Sequence, residues 1–107
     1  MTRCEFFMEG ERITGFSVSG HSGYSEAGSD IVCAAISTAV TMAEATINEV
    51  CGAKAKVRVK EEDARVTLTL PASCDEEETV QAVLAGMMLT LLSIQEDHPD
   101  YIEVLEV

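Results

Sequence analysis

Two stretches alternate residue by residue between apolar and polar side chains: "AKAKVRVK" at 53–60 and "ARVTLTL" at 64–70. Period two is the repeat of a β-strand, so Ala53, Ala55, Val57 and Val59 share one face while Lys54, Lys56, Arg58 and Lys60 share the other. Strands of this kind are buried on one side only. They predict an antiparallel or mixed sheet with a single covered face, not a parallel sheet covered on both. The intervening "EED" suits a turn and makes the pair a hairpin. The cationic face reads as the solvated outside of the sheet.

The remaining segments supply more strands and their cover. "RCEFFM" (3–8) and "RITGFSVS" (12–19) are rich in aromatic and β-branched residues and flank "EGE", which predicts a second hairpin. From Asp30 to Val50, Val32, Ile36, Ala39, Val40, Ala43, Ile47 and Val50 recur at helical spacing, and Gly52 is placed to end that helix. After Pro71, Ser73 and Glu76 have the spacing of a capping box, followed by an apolar stripe through Val80, Leu84, Met87, Met88 and Leu91 that runs to Pro99. "YIEVLEV" predicts a last strand. The order is ββαββαβ, an α+β fold of one domain, 1–107, with both long helices packed on one face of the sheet.

Composition narrows the function. The formal charge of −12 argues against general nucleic-acid affinity, which needs Lys and Arg to neutralise phosphates, and makes a basic partner the natural one. The apolar runs are broken before the length of a membrane span, and "MTRCEFFMEGER" is too charged for a signal peptide, so a soluble cytoplasmic protein without a membrane partner is expected. Cys4, Cys33, Cys51 and Cys74 are widely spaced with no C-x-x-C pair, and His21 and His98 are isolated; free thiols and no metal or other cofactor are expected.

Chemistry concentrates in "SGHSGYSEAGSDIVCAAIST", residues 19–38. With Ser29 or Asp30 as N-cap, Cys33 falls in the first turn of a helix, where free amides and the dipole favour a thiolate. That effect, about 0.3 to 1 kcal/mol, is too small to ionise an ordinary thiol at neutral pH. A base is needed, and His21 is the obvious candidate, with His98 at the far end of the second helix as the other. The segment with Ser22, Gly23, Tyr24 and Gly28 reads as a gate over a substrate. Packing remains the plain alternative for Cys33, because free cysteine is among the most buried residue types. A phosphate cradle is disfavoured by the missing lysine, and a thiol redox sensor needs a resolving cysteine such as Cys4 or Cys51. Cys74 serves as a control: it also lies near a helix start, but before Asp75, Glu76, Glu77 and Glu78, which oppose a thiolate.

Gly20 and His21 followed by "SDIVCAAIS" (29–37) resemble the motif of the bacterial ribosomal-processing cysteine proteases, the Prp or YsxB-like family, and length and element order agree over the whole chain. The resemblance implies a Cys33 nucleophile and a His21 base, with Gly20, Asp30 and Ser37 at supporting motif positions. Asp30 either orients His21 or caps the helix; Ser37 either bonds within the site or packs beneath it. The resemblance also implies a homodimer that removes a short N-terminal extension from a large-subunit ribosomal protein, the twenty-seventh, cutting after an aromatic and before a small residue. Helix amides at Cys33 are then candidates for the oxyanion hole. A noncatalytic acidic module that binds a basic ribosomal protein is the competing reading.

Overall fold

The computed structural model describes residues 1–20 and 27–107, and of residues 27–30 the backbone only. The elements follow the expected order: β1 Thr2–Glu9, β2 Arg12–Ser19, α1 Ala27–Ala45, β3 Lys56–Lys60, β4 Arg65–Thr69, α2 Glu77–Asp97 and β5 Ile102–Glu106. They form one mixed sheet of strand order β3-β4-β2-β1-β5, in which only β5 runs parallel to its neighbour, β1. Period two then assigns the faces. Cys4, Phe6, Phe16, Val18, Leu68 and Ile102 point toward the helices and are buried, together with Val32, Ile36, Val40 and Ile47 of α1 and Val80, Leu84, Met87 and Leu91 of α2.

The opposite face is open and polar. Lys56, Arg58 and Lys60 are exposed there, as the alternation predicts. Ser17, buried at its centre, accepts a hydrogen bond from Arg65 Nη1 at 2.8 Å. By length and hydropathy alone, Ile31–Val50 and Glu77–Asp97 are long and apolar enough to cross a bilayer, contrary to the expectation from unbroken runs. Each nonetheless lays a buried stripe on the sheet, so part of that hydropathy belongs to the core.

Three local details differ from the expectations. α1 begins at Ala27, so Gly28, Ser29 and Asp30 belong to its first turn instead of preceding it. An acid or serine is favoured in a first turn as well as at the cap, and the sequence alone does not choose between them. α2 begins at Glu77 with no Ser73 capping box: Glu76 is the N-cap, left-handed at φ 57°, with no side-chain cap bond. There Arg12 Nε pairs with Glu77 and Arg12 Nη2 donates to the Pro71 carbonyl at 2.9 Å, a clamp from β2 that ties down the helix start without capping its amides, since a guanidinium only donates. Finally, β3 starts at Lys56, not Ala53. α1 continues as a π-helical turn over Thr46–Val50, and Gly52 at φ 65° lets the Ala53 amide reach the Ile47 carbonyl at 3.0 Å. Asn48 then holds both the amide and the carbonyl of Ala55, at 2.7 and 3.1 Å. Those backbone groups are occupied by the helix end and cannot join a ladder.

Candidate active site

Two helices packed 8–10 Å apart cover about four strands spaced roughly 4.8 Å apart, and this sheet has five. The uncovered inner surface is at β3 and β4. Val59, expected on the buried face, is 71% exposed there, and Val57 and Val66 are half-buried. Between this strip and α1 lies a cleft of about 580 Å³.

One stripe of α1 forms a wall of the cleft: Cys33, Ser37, Thr41 and Glu44, with Ile36 and Val40 beside them. These residues recur three and four apart because that spacing returns to one helix face. Val18, Val59 and Val66 supply apolar sheet surface, and Thr2 and Gly20 line the end of β1 and β2. Gly20 takes φ 90°, and a Cβ there would meet the Met1 carbonyl oxygen at 2.7 Å. Only glycine fits that crossing. The motif glycine is therefore a packing requirement where β2 leaves the sheet beside the cleft.

The structure thus brings Gly20, just past the end of β2, and Cys33 and Ser37 of α1 to one cavity. His21 and the gate residues Ser22, Gly23 and Tyr24 lie outside the described residues, as does the side chain of Asp30. Gly28, expected in the gate, is helical. His98 follows the end of α2, does not line the cleft, and has its ring tilted at 44° to that of Tyr101 with centroids 6.5 Å apart. Because α1 begins at Ala27, Cys33 is its seventh residue. Its amide falls within the helical ladder and not among the free first-turn donors, so the expectation of an oxyanion hole from that amide is corrected.

The charges around the cleft are unevenly matched. Lys60 pairs with Asp63 at 3.7 Å and Arg65 with Glu5 at 3.9 Å. Glu44 and Glu61 carry no ion pair among the described residues and leave the rim with anionic character. No disulfide joins the cysteines among the described residues. Burial pushes Cys4 up to about 12, and at Cys74 burial, then a hydrogen bond to Glu77, push the thiol up to about 11. Thr2, Glu44 and the shelf at Val59 escaped sequence reading. Their signal is the arithmetic of strand and helix number, visible only once the sheet order is known.

Comparison with known proteins bears on the fold and the family. A family model described as cysteine protease Prp matches residues 1–103. The ribosomal processing cysteine protease Prp of Bacillus subtilis (strain 168) is 28% identical over 94 residues, covering 86% of this chain and 84% of the relative. Among solved structures, SMU.848 from Streptococcus mutans superposes with a TM-score of 0.90 at 22% identity, covering 100% of this chain and 94% of that one. The ribosomal processing protease Prp from S. aureus, solved with a covalently linked product peptide, gives 0.86 at 20% identity, with 100% of both chains covered. A second structure of the S. aureus protease, with a substrate peptide, gives 0.87 at 18% identity over 100% of both chains. With a family model matched over nearly its full length and Cys33 in the wall of this cleft, the chain belongs to the Prp family of cysteine proteases.

Proposed function

We propose that this protease removes the short N-terminal extension of a bacterial large-subunit ribosomal protein, the twenty-seventh, cutting after an aromatic and before a small residue. Cys33 is the nucleophile, and His21 takes its proton and returns it to the leaving amine. The acyl-enzyme so formed is released by water with His21 again as base. The observation that carries this reading is the convergence of Cys33, Ser37 and Gly20 on one cleft, since His21 is covalently joined to Gly20. The apolar floor suits an aromatic side chain. Glu44 and Glu61, without an ion pair among the described residues, and a net charge of −12 favour a basic substrate. Ribosomal processing is what the B. subtilis and S. aureus proteins are named for.

The same proposal places the enzyme in the cytoplasm as a homodimer. Ile31, Met42, Leu89 and Leu92 are exposed on the two helices, and exposed apolar side chains of this size suit contact with a second copy. Sedimentation at micromolar concentration should give twice the chain mass, and a monomer would remove this part. The substrate reading is tested by incubating a peptide spanning the extension with the enzyme and weighing the products. A single cut after the aromatic residue is expected, lost in Cys33→Ala and His21→Ala. Tight binding with no cut by the unaltered protein would instead indicate a noncatalytic module.

A further inference from the structure

Thr2 heads β1, and by period two its side chain shares the helix-facing side with Cys4 and Phe6. Its backbone is engaged: the amide donates to the Tyr101 carbonyl at 2.9 Å, and the residue pairs with Ile102 of β5. Its hydroxyl is not. Thr2 is 3% exposed, and Oγ1 has no hydrogen-bond partner among the described residues. Buried hydroxyls are nearly always bonded, and an orphan calls for a physical reason.

The location supplies one. Thr2 lines the cleft that holds Cys33, beside Val18, Gly20 and Ile36. Among the other polar residues of that lining, Ser37, Thr41, Lys60 and Glu61 are exposed and Cys33, Glu44 and Arg65 half-buried, so Thr2 is the buried one. A peptide entering an apolar cleft loses water from its own main-chain N–H and C=O groups, and binding is weakened unless the protein replaces those bonds. An orphan hydroxyl and a dehydrated peptide group are complementary needs.

We infer that Thr2 is a substrate-binding residue, and that its hydroxyl bonds a main-chain peptide group of the segment bound in the cleft. The inference rests on the reading of this cleft as the protease site. It gives Thr2 a signature that a purely structural threonine lacks. Replacing the hydroxyl by a methyl of the same shape removes an unsatisfied group from the free protein and a partner from the complex. Thr2→Val should therefore stabilise the empty enzyme and weaken the occupied one.

The experiment uses a fluorescein-labelled peptide spanning the N-terminal extension. Its Kd is measured by anisotropy on Cys33→Ala and on Cys33→Ala with Thr2→Val, and its cleavage on the unaltered enzyme and Thr2→Val alone. The expected result is a Kd and KM raised about 3- to 10-fold, the worth of one neutral hydrogen bond, with kcat within about twofold. Melting of the free Thr2→Val protein should rise by about 4 °C, and Thr2→Ser should bind like the unaltered enzyme. An unchanged Kd, or a lowered melting temperature in Thr2→Val, overturns the inference. If the peptide binds Cys33→Ala but the unaltered enzyme leaves it uncut, the protease reading fails and the Kd comparison still judges Thr2. If it does not bind at all, both fail.

Discussion

Cys33 and Cys74 each lie near the start of a long helix, one seven residues into α1 and the other three residues before α2. Cys33 opens onto the cleft between α1 and the uncovered end of the sheet. Cys74 donates its thiol hydrogen to Glu77 Oε2 at 2.8 Å, beside the carboxylate clamped by Arg12. Burial and that bond raise the Cys74 thiol to about 11. A helix start is therefore a weak determinant of thiol chemistry. What decides is the group placed against the sulfur and the access of a substrate to it.

The sharpest way to break this contrast is substitution at both positions. Cys33→Ala should lower peptide cleavage at least about 10³-fold, as loss of a nucleophile does, while Cys74→Ala should leave it within about twofold. Equal loss in both would end the assignment of roles. Alkylation is the next test. Two units above the ordinary 9.0, Cys74 holds about a hundredfold less thiolate than an unshifted thiol at neutral pH. Brief iodoacetamide treatment followed by mass spectrometry should label Cys33 well before Cys74, and the reverse order would contradict the environments described.

Cys4, wholly buried under the helices, marks the inert extreme. Its folded-state value of about 12 lies above the ordinary 9.0, so the folded protein disfavours the thiolate that the unfolded chain readily forms. Its contribution is complete below pH 9.0 and is lost as pH rises toward 12, at up to about 1.4 kcal/mol per pH unit. Urea melts at pH 8 and pH 10.5 should show the decline in the unaltered protein and a smaller one in Cys4→Ala, after its own packing loss. The smallest expected effect belongs to the clamp. Hydrogen bonds from Arg12, then Cys74, hold Glu77 below its ordinary 4.5, so its contribution is present above that pH and fades as pH falls through the lowered value. Glu77→Gln should cost about 1 kcal/mol at pH 7, flatten the acid limb of the stability curve and leave cleavage unchanged.

Much of the fold was legible because it rests on periodicity. The alternation at 53–70 announced a one-sided sheet, and the stripes of α1 and α2 announced its cover. Boundaries failed where a distant partner replaced a local signal. Ile47 and Asn48 engage the backbone groups of Ala53 and Ala55, and Arg12 clamps Glu77 and the Pro71 carbonyl where a Ser73 capping box was expected. At the site, Gly20, Cys33 and Ser37 were readable because their motif falls within one short stretch of the chain, residues 20–37. Thr2, Glu44 and Val59 were not, since each acquires its place only from elements remote in sequence.

By itself, then, the sequence determined the element order, the core faces and a cysteine and histidine held in one short motif, all properties of neighbours along the chain. Tertiary structure alone decided that β5 would join β1 in parallel and that β3 would be an edge beyond the reach of two helices. It also decided that Cys33 would face a cleft while Cys74 would be tied to Glu77. The reason is that exposure and electrostatic partnership depend on which surfaces meet, and local periodicity does not encode that.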